Sequence, residues 1–151
     1  MEQQIPDINP EYLEHMIDPK NYGNMENEDA IGIGKNEASG EMVKMWLKID
    51  RKSEKILDIK WQTNGCGTTL VSGSLFSQEY KRGTLKDGVE FTNRVLEKIK
   101  DNPPADAACG EIIARAFLAA VKDYEDRKKG IKKEHIEYVT LACPVPDEDN
   151  S

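Results

Sequence analysis

Three cysteines, Cys66, Cys109 and Cys143, are the residues whose types offer the most reactive chemistry. Their number is small and odd, which argues against a disulfide framework. No two of them are closer than 34 residues, so the sequence contains no local pair of metal ligands such as C-x-x-C. In a reducing compartment, such cysteines serve as metal ligands, reactive thiols or core residues. Any site that they share must therefore be assembled by the fold.

Cys66 has the surroundings of an exposed and reactive thiol. It stands in Thr63-Asn64-Gly65-Cys66-Gly67, between a predicted strand and a predicted helix. The flanking glycines permit a sharp turn, and the helix N-terminus that follows favours the thiolate form. The alternative is a buried cysteine in a turn that needs glycine for its backbone alone.

Cys109 lies at the third position of a helix predicted over residues 107–127. This position is also close to a helix N-terminus, but it falls on the apolar stripe of the helix, so a core role and a functional role both stay open. Cys143, in the C-terminal tail, is predicted to be an inert or surface thiol. The sequence offers no Ser/His or Cys/His pairing and no phosphate-binding glycine motif, so we expect that the protein is not an enzyme.

The composition narrows the class of protein. The chain has 151 residues, which is the length of one domain, and its net charge of −7 comes entirely from residues 1–30. The remaining residues are neutral overall and form no basic stripe, which argues against nucleic-acid binding. The sequence contains no run of 18 apolar residues, so no membrane span is predicted. The N-terminus has neither signal-peptide nor transit-peptide features, so a cytoplasmic location is expected.

The predicted elements place strands first and helices after, which indicates an α+β fold. Alternating apolar residues predict a small antiparallel three-stranded sheet, with Leu57, Ile59 and Trp61 on its apolar face, covered by helices. The predicted strands are 31–34, 42–50 and 55–63, and the predicted helices are 11–17, 68–82, 92–100 (with Thr92 as its cap) and 107–127. We expect three regions along the chain: an acidic arm over 1–10, the domain over 11–127, and a partly disordered C-terminal extension over 128–151, with a late edge strand over 135–143.

Several stretches, taken together, resemble the iron–sulfur cluster assembly scaffolds, namely the IscU family and the N-terminal domain of NifU. The resemblance covers residues 11–127, in order and with matching spacing. It rests on Asp18-Pro19-Lys20-Asn21-Tyr22-Gly23, Ile31-Gly32-Ile33-Gly34, Ser39-Gly40-Glu41-Met42, Thr63-Asn64-Gly65-Cys66-Gly67, the pair Pro103-Pro104, and Cys109. It implies the α+β fold of that family and a role in iron–sulfur cluster assembly.

The resemblance also implies a ligand set, from which this chain departs. The family's site has three cysteines, an aspartate two residues after the first, and a histidine just before the third. Cys66 and Cys109 match the second and third cysteines, whereas Ser39 stands in the place of the first and Glu41 in the place of the aspartate. Ala108 replaces the histidine. The implied metal ligands are thus Cys66, Cys109 and Glu41, with Ser39 beside them.

This reduced set predicts weak binding. Iron–sulfur clusters prefer four thiolates, and zinc also prefers a complete shell of four ligands. We therefore expect a labile cluster, such as [2Fe–2S], or a single iron or zinc ion. Two protomers that pool their cysteines across an interface are an open alternative.

Three function classes remain open. The first is a metal or cluster carrier. The second is a metal-free docking or regulatory homologue, and the third is a persulfide acceptor in sulfur transfer. The resemblance implies a cysteine desulfurase or another iron–sulfur biogenesis protein as partner. The family's usual chaperone grips Leu-Pro-Pro-Val-Lys, and Asn102-Pro103-Pro104-Ala105-Asp106 departs from that stretch, which argues against its docking.

Overall fold

The computed structural model describes residues 10–65, 67–101 and 107–139. The predicted acidic arm, Cys66, the proline pair and the chain from residue 140 onward lie outside the described residues, apart from Pro10. The described residues form four helices and four strands in the order α1 (Pro10–Ile17), β1 (Ala30–Lys35), β2 (Met42–Asp50), β3 (Lys55–Thr63), α2 (Gly67–Tyr80), α3 (Leu85–Asp101), α4 (Ala107–Lys128) and β4 (Ile136–Tyr138). Within these ranges, no helix is long and apolar enough to cross a membrane.

The sheet has the order β3-β2-β1-β4 and is mixed. The first three strands are antiparallel neighbours, which confirms the predicted α+β fold and the 42–63 hairpin. The prediction of three antiparallel strands was incomplete, because β4 adds a fourth strand parallel to β1. Three helices lie between β1 and β4 in the sequence. A parallel pair of strands requires a long crossover connection of this kind.

The hairpin contains a register shift that sequence alternation did not predict. The pairing slips between Lys48 and Ile49, so that Ile49 lies opposite Ile56. As a result Ile56 is fully buried, whereas Leu57 is 49% exposed. The prediction that Leu57 faces the core was wrong, because an irregularity of one residue moves a side chain to the other face of a sheet.

The long helix α4 packs directly on β1. A Cβ built at Gly32 would lie 2.1 Å from the backbone N of Ala120, and one at Gly34 would lie 2.4 Å from the carbonyl oxygen of Ile112. Only glycine permits so close an approach. Most of the predicted stripe of α4 is buried in the core, because Ile112, Ile113, Ala116, Phe117, Ala120 and Tyr124 are at most 2% exposed, whereas Val121 is only partly buried.

Helix α3 begins seven residues before its predicted start. Thr84 caps it, since the Asp87 amide donates to Thr84 Oγ1 at 3.1 Å. Thr92 was predicted to be the cap, but it lies inside the helix and donates its hydroxyl to the Val89 carbonyl. Within this helix, the ring of Phe117 packs against Gly88 where a side chain would stand.

Candidate functional site

Several element ends meet at one edge of the molecule, here called the rim: residues 35–42, residues 63–65, residues 67–69 and the first turn of α4. The register places Lys35, at the end of β1, opposite Met42, and Val43 opposite Thr63 at the end of β3. Helix α2 starts at Gly67, directly beyond β3. The rim therefore brings loop backbone and helix N-termini together, and such N-termini favour negative charge.

A tight turn over 36–41 carries Ser39 and Glu41. Asn36 organises this turn, because its Oδ1 accepts hydrogen bonds from the amides of Ala38 at 3.0 Å and Ser39 at 3.3 Å. The backbone also closes the turn, because the backbone amide of Asn36 donates a hydrogen bond to the Glu41 carbonyl. Ser39 Oγ in turn accepts from the Glu41 amide at 3.2 Å. The hydroxyl of Ser39 is thus a turn acceptor on an exposed residue.

Asn64 ties this turn to the chain that leads into Cys66. Its Oδ1 accepts from the Met42 amide at 2.8 Å, and its Nδ2 donates to the Gly40 carbonyl at 3.2 Å. Thr63 Oγ1 adds a donor to the Met42 carbonyl and accepts from the amide of Gly65. These contacts fix the segment 63–65 beside the segment 40–42.

Glu41 is buried, with 8% of its surface exposed, and its carboxylate is held from two sides. Thr69 donates its hydroxyl to Glu41 Oε2 at 2.5 Å from the first turn of α2. Gly65 packs against the same oxygen so closely that a Cβ there would lie 1.8 Å from it. The carboxylate therefore lies between Gly65 and the first turn of α2.

Of the four site residues predicted from sequence, the structure brings Ser39 and Glu41 together. Cys66 lies outside the described residues, but both of its neighbours, Gly65 and Gly67, border the rim. Cys109 is described only as helical backbone in the first turn of α4. In the part of the chain that is described, no three His, Cys, Asp or Glu side chains group closely enough to hold a metal ion.

Sequence reasoning missed two residues of the rim. Thr69 holds the Glu41 carboxylate, and no motif distinguishes it from the other hydroxyl residues of α2. Asn36 is 4% exposed, and its Nδ2 is buried with no hydrogen-bond partner within the described residues. The available signal was its place two residues beyond Gly34, since alternation along a strand gives positions 32, 34 and 36 the same face.

Comparisons with known proteins give named relatives for this chain. Iron-sulfur cluster assembly protein 1 of Oryza sativa subsp. japonica is 33% identical over 119 residues, which cover 77% of this chain and 70% of the relative. Iron sulfur cluster assembly protein 2, mitochondrial, of Saccharomyces cerevisiae is 29% identical over 122 residues, covering 79% and 78%. A crystal structure of a NifU-like N-terminal protein from Brucella abortus superposes with a TM-score of 0.67 at 16% identity, covering 79% of this chain and 94% of that one, and shows the same fold.

The prediction of a cytoplasmic location is contradicted by these relatives. The Saccharomyces protein and two further yeast relatives bear the designation mitochondrial in their names. The prediction was wrong because it relied on charge and hydropathy at the start of the chain. The residues of the shared folded domain reflect its stability and binding and do not indicate a compartment.

The family assignment rests on a match that covers most of the chain. The NifU-like N terminal domain family matches residues 8–131, which include every element from α1 to α4. The observed α+β architecture and the resemblance of residues 11–127 agree with this match. The chain belongs to the NifU-like N-terminal domain family.

Proposed function

We propose that the protein is an iron–sulfur cluster assembly scaffold that holds iron, or a labile cluster, at the rim. The observation that carries the proposal is the buried carboxylate of Glu41, which lies between Thr69 and Gly65, the residue that precedes Cys66 in the sequence. A buried carboxylate needs a compensating partner, and a bound cation supplies one. The names of the relatives, which are iron–sulfur cluster assembly proteins, support the same role.

In this proposal, Cys66 and Cys109 supply the two soft ligands and Glu41 supplies a carboxylate. The N-termini of α2 and α4 stabilise the thiolate forms of cysteines near the start of each helix. Ser39 contributes little to a metal, because its neutral hydroxyl is a hard donor and already accepts from the Glu41 amide. Two thiolates and one carboxylate leave the cargo incompletely ligated, so the iron or cluster is labile and can be passed on.

The test is the amount of iron and sulfide bound after anaerobic reconstitution. Ser39→Cys adds a thiolate and is expected to raise occupancy, whereas Cys66→Ala is expected to abolish it. Glu41→Gln keeps an acceptor for Thr69 but removes the negative charge, so occupancy is expected to fall. Ala108→His is expected to help less than Ser39→Cys, because imidazole suits zinc better than a cluster that is short of thiolates. Cys143→Ala is the matched control and keeps full occupancy.

A metal-free docking role is the second candidate, and one observation favours it. Tyr22 and Met42 are 40% and 37% exposed, and both flank the rim, since the Tyr22 hydroxyl donates to the Thr63 carbonyl. Such exposed large side chains suit contact with a partner such as a cysteine desulfurase. If the wild-type protein and the Ser39→Cys variant both stay free of iron, the scaffold proposal fails and this candidate replaces it.

A further inference from the structure

Helix α2 separates two apolar features of the surface. On one side of α2 lies α1, where Met16 packs on Gly67 and His15 is hydrogen-bonded to Ser74. On the other side, α2, α3 and α4 enclose a groove, here called the helix groove, which is lined by Ser72, Leu75, Phe76, Phe91, Val95 and Ile113. With about 3.6 residues per turn, Ser72 and Ser74 face nearly opposite directions. Within one molecule, α1 is therefore on the wrong side of α2 to fill the groove.

The outer face of α1 carries two exposed aliphatic side chains. Leu13 is 42% exposed and Ile17 is 74% exposed. They are four residues apart, so they lie side by side on one face of the helix. Single exposed apolar residues are common on any protein, whereas adjacent ones are typical of a contact surface. Because a helix as short as α1 is marginally stable alone, a contact that covers this face would also stabilise the helix.

The helix groove has the size and composition to receive such a pair. It encloses a cavity of about 420 Å³. Its floor is an aromatic cluster, in which the ring centroids of Phe76 and Phe91 are 6.2 Å apart and those of Tyr80 and Phe91 are 5.2 Å apart. Leu75 also lines the groove and is 44% exposed. Apolar pockets with aromatic walls are typical of the core of a protein–protein interface.

Charges beside the two features indicate how they fit. Glu14 and Asp18 adjoin the exposed pair on α1, and each pairs with a lysine yet stays more than half exposed. The groove has Glu79 on its α2 wall. Burial above all raises the pKa of Tyr80, but the positive charge of Arg94 acts against this, so Arg94 lies close to the groove on its α3 side. The acidic side of α1 is therefore expected to lie against α3.

We propose that the helix groove binds α1 of a second copy of this chain, with Leu13 and Ile17 as anchors, in a symmetric dimer. The exposed face of α2, which carries Leu75 and Gln78, lies between α1 and the groove. A two-fold axis through that face brings α1 of each copy to the groove of the other, so the two contacts form together and close the assembly at two protomers. This inference concerns assembly and goes beyond the proposed cluster-binding role.

The experiment measures the dissociation constant of the dimer by sedimentation velocity, with the metal-free full-length protein under reducing conditions. Ile17→Asp places a charge in the apolar groove and should raise the constant by about a hundredfold or more, because a symmetric dimer contains the change twice. Leu75→Asp should weaken the dimer in the same way from the groove side. Leu57→Asp is the matched control, since Leu57 is also exposed but lies on β3, and it should leave the constant unchanged.

A mixture of the Ile17→Asp and Leu75→Asp variants tests the pairing itself. Their heterodimer keeps one intact α1 and one intact groove that face each other, so it should form more readily than the dimer of either variant alone. A mixture that associates no better than its components overturns the proposal, as does a dimer that Ile17→Asp leaves unchanged. A wild-type protein that stays monomeric up to millimolar concentration also overturns it, and would indicate that a terminal segment of the chain or another protein covers the groove. The measurement needs no iron, so it stays valid if the scaffold proposal fails.

Discussion

The seam between β1 and α4 and the rim at its end use buried space in opposite ways. At the seam, Gly32 and Gly34 let two backbones touch, and the neighbouring core side chains are apolar and almost fully buried. At the rim, the Glu41 carboxylate, the Thr69 hydroxyl and the Asn36 amide are buried, and the Nδ2 of Asn36 has no hydrogen-bond partner among the described residues. The seam is therefore a rigid, apolar contact, and the rim is a set of buried polar groups positioned at its end.

The two regions are expected to contribute differently to the stability of the protein. Close apolar packing contributes to folding wherever it occurs, whereas buried polar groups contribute only when each has a partner. Among the described residues, the Nδ2 of Asn36 at the rim is buried without a hydrogen-bond partner, and such a group is expected where a ligand supplies one. Substitutions that probe the two regions should therefore differ in size and in how they can be relieved.

The largest expected effect is at the seam, for Gly34→Ala. The new Cβ would overlap the carbonyl oxygen of Ile112 at 2.4 Å, and a helix backbone cannot move aside as a side chain can. We expect a loss of about 3 kcal/mol or more in the free energy of unfolding, measured by urea denaturation. Gly110→Ala is the control, since a Cβ there meets no atom of the described residues within 4 Å, and it should stabilise by about 0.5 kcal/mol. Equal stability of the two variants would contradict the account of the seam.

Much of the sheet and of helix α4 could be predicted from the sequence, because their apolar residues are periodic. Strands β2 and β3 and the stripe of α4 have clear alternation or 3.6-residue spacing, and the structure places them as predicted. Leu57 was misplaced because the register shift depends on the paired strand, not on local sequence. Strand β4 was expected only as a late edge strand, because its parallel pairing with β1 depends on a tertiary crossover.

The polar partners at the rim were less predictable than the ligand positions. The resemblance identified Ser39 and Glu41, but it carried no information about the hydroxyl of Thr69 or the amide of Asn36. Both contacts join residues from different elements, and hydrogen bonds across a fold leave no periodic trace in the sequence. The ligand roles of Cys66, Cys109, Glu41 and Ser39 stay predictions.

A second substitution, Gly65→Ala, tests whether a side chain at the rim can move aside where the helix backbone at the seam cannot. The overlap is more severe on paper, because the new Cβ would lie 1.8 Å from Glu41 Oε2, but a glutamate side chain can move. We expect a cost of about 2 kcal/mol, below that of Gly34→Ala. In a Glu41→Ala background the same substitution should cost close to nothing, so a double-mutant cycle should give a coupling of about 1–2 kcal/mol. Absence of coupling would show that Glu41 does not pack on Gly65.

Thr69→Val tests the hydrogen bond that holds the buried carboxylate. Valine keeps the shape of threonine and removes the hydroxyl that donates to Glu41 Oε2. Because a bond to a charged group is stronger than a neutral one, we expect a loss of about 1.5 kcal/mol in the free energy of unfolding. Thr69→Ser is the matched control, since it keeps the hydroxyl and should lose less. If serine is the more damaging replacement, packing of the methyl group outweighs the hydrogen bond.

The smallest expected effect lies back at the seam and appears only in alkali. Burial, reinforced by the negative charge of Glu54, raises the pKa of Tyr124 above its ordinary value. The folded state therefore favours the neutral phenol, and the stability that this group contributes is fully present below about pH 10 and declines as the pH rises above it. Tyr124→Phe removes the titrating group and should flatten this decline, which thermal melts between pH 9 and pH 11 would measure. The wild-type protein and the variant should melt in parallel below that range, and an identical alkaline decline in both would show that Tyr124 does not cause it.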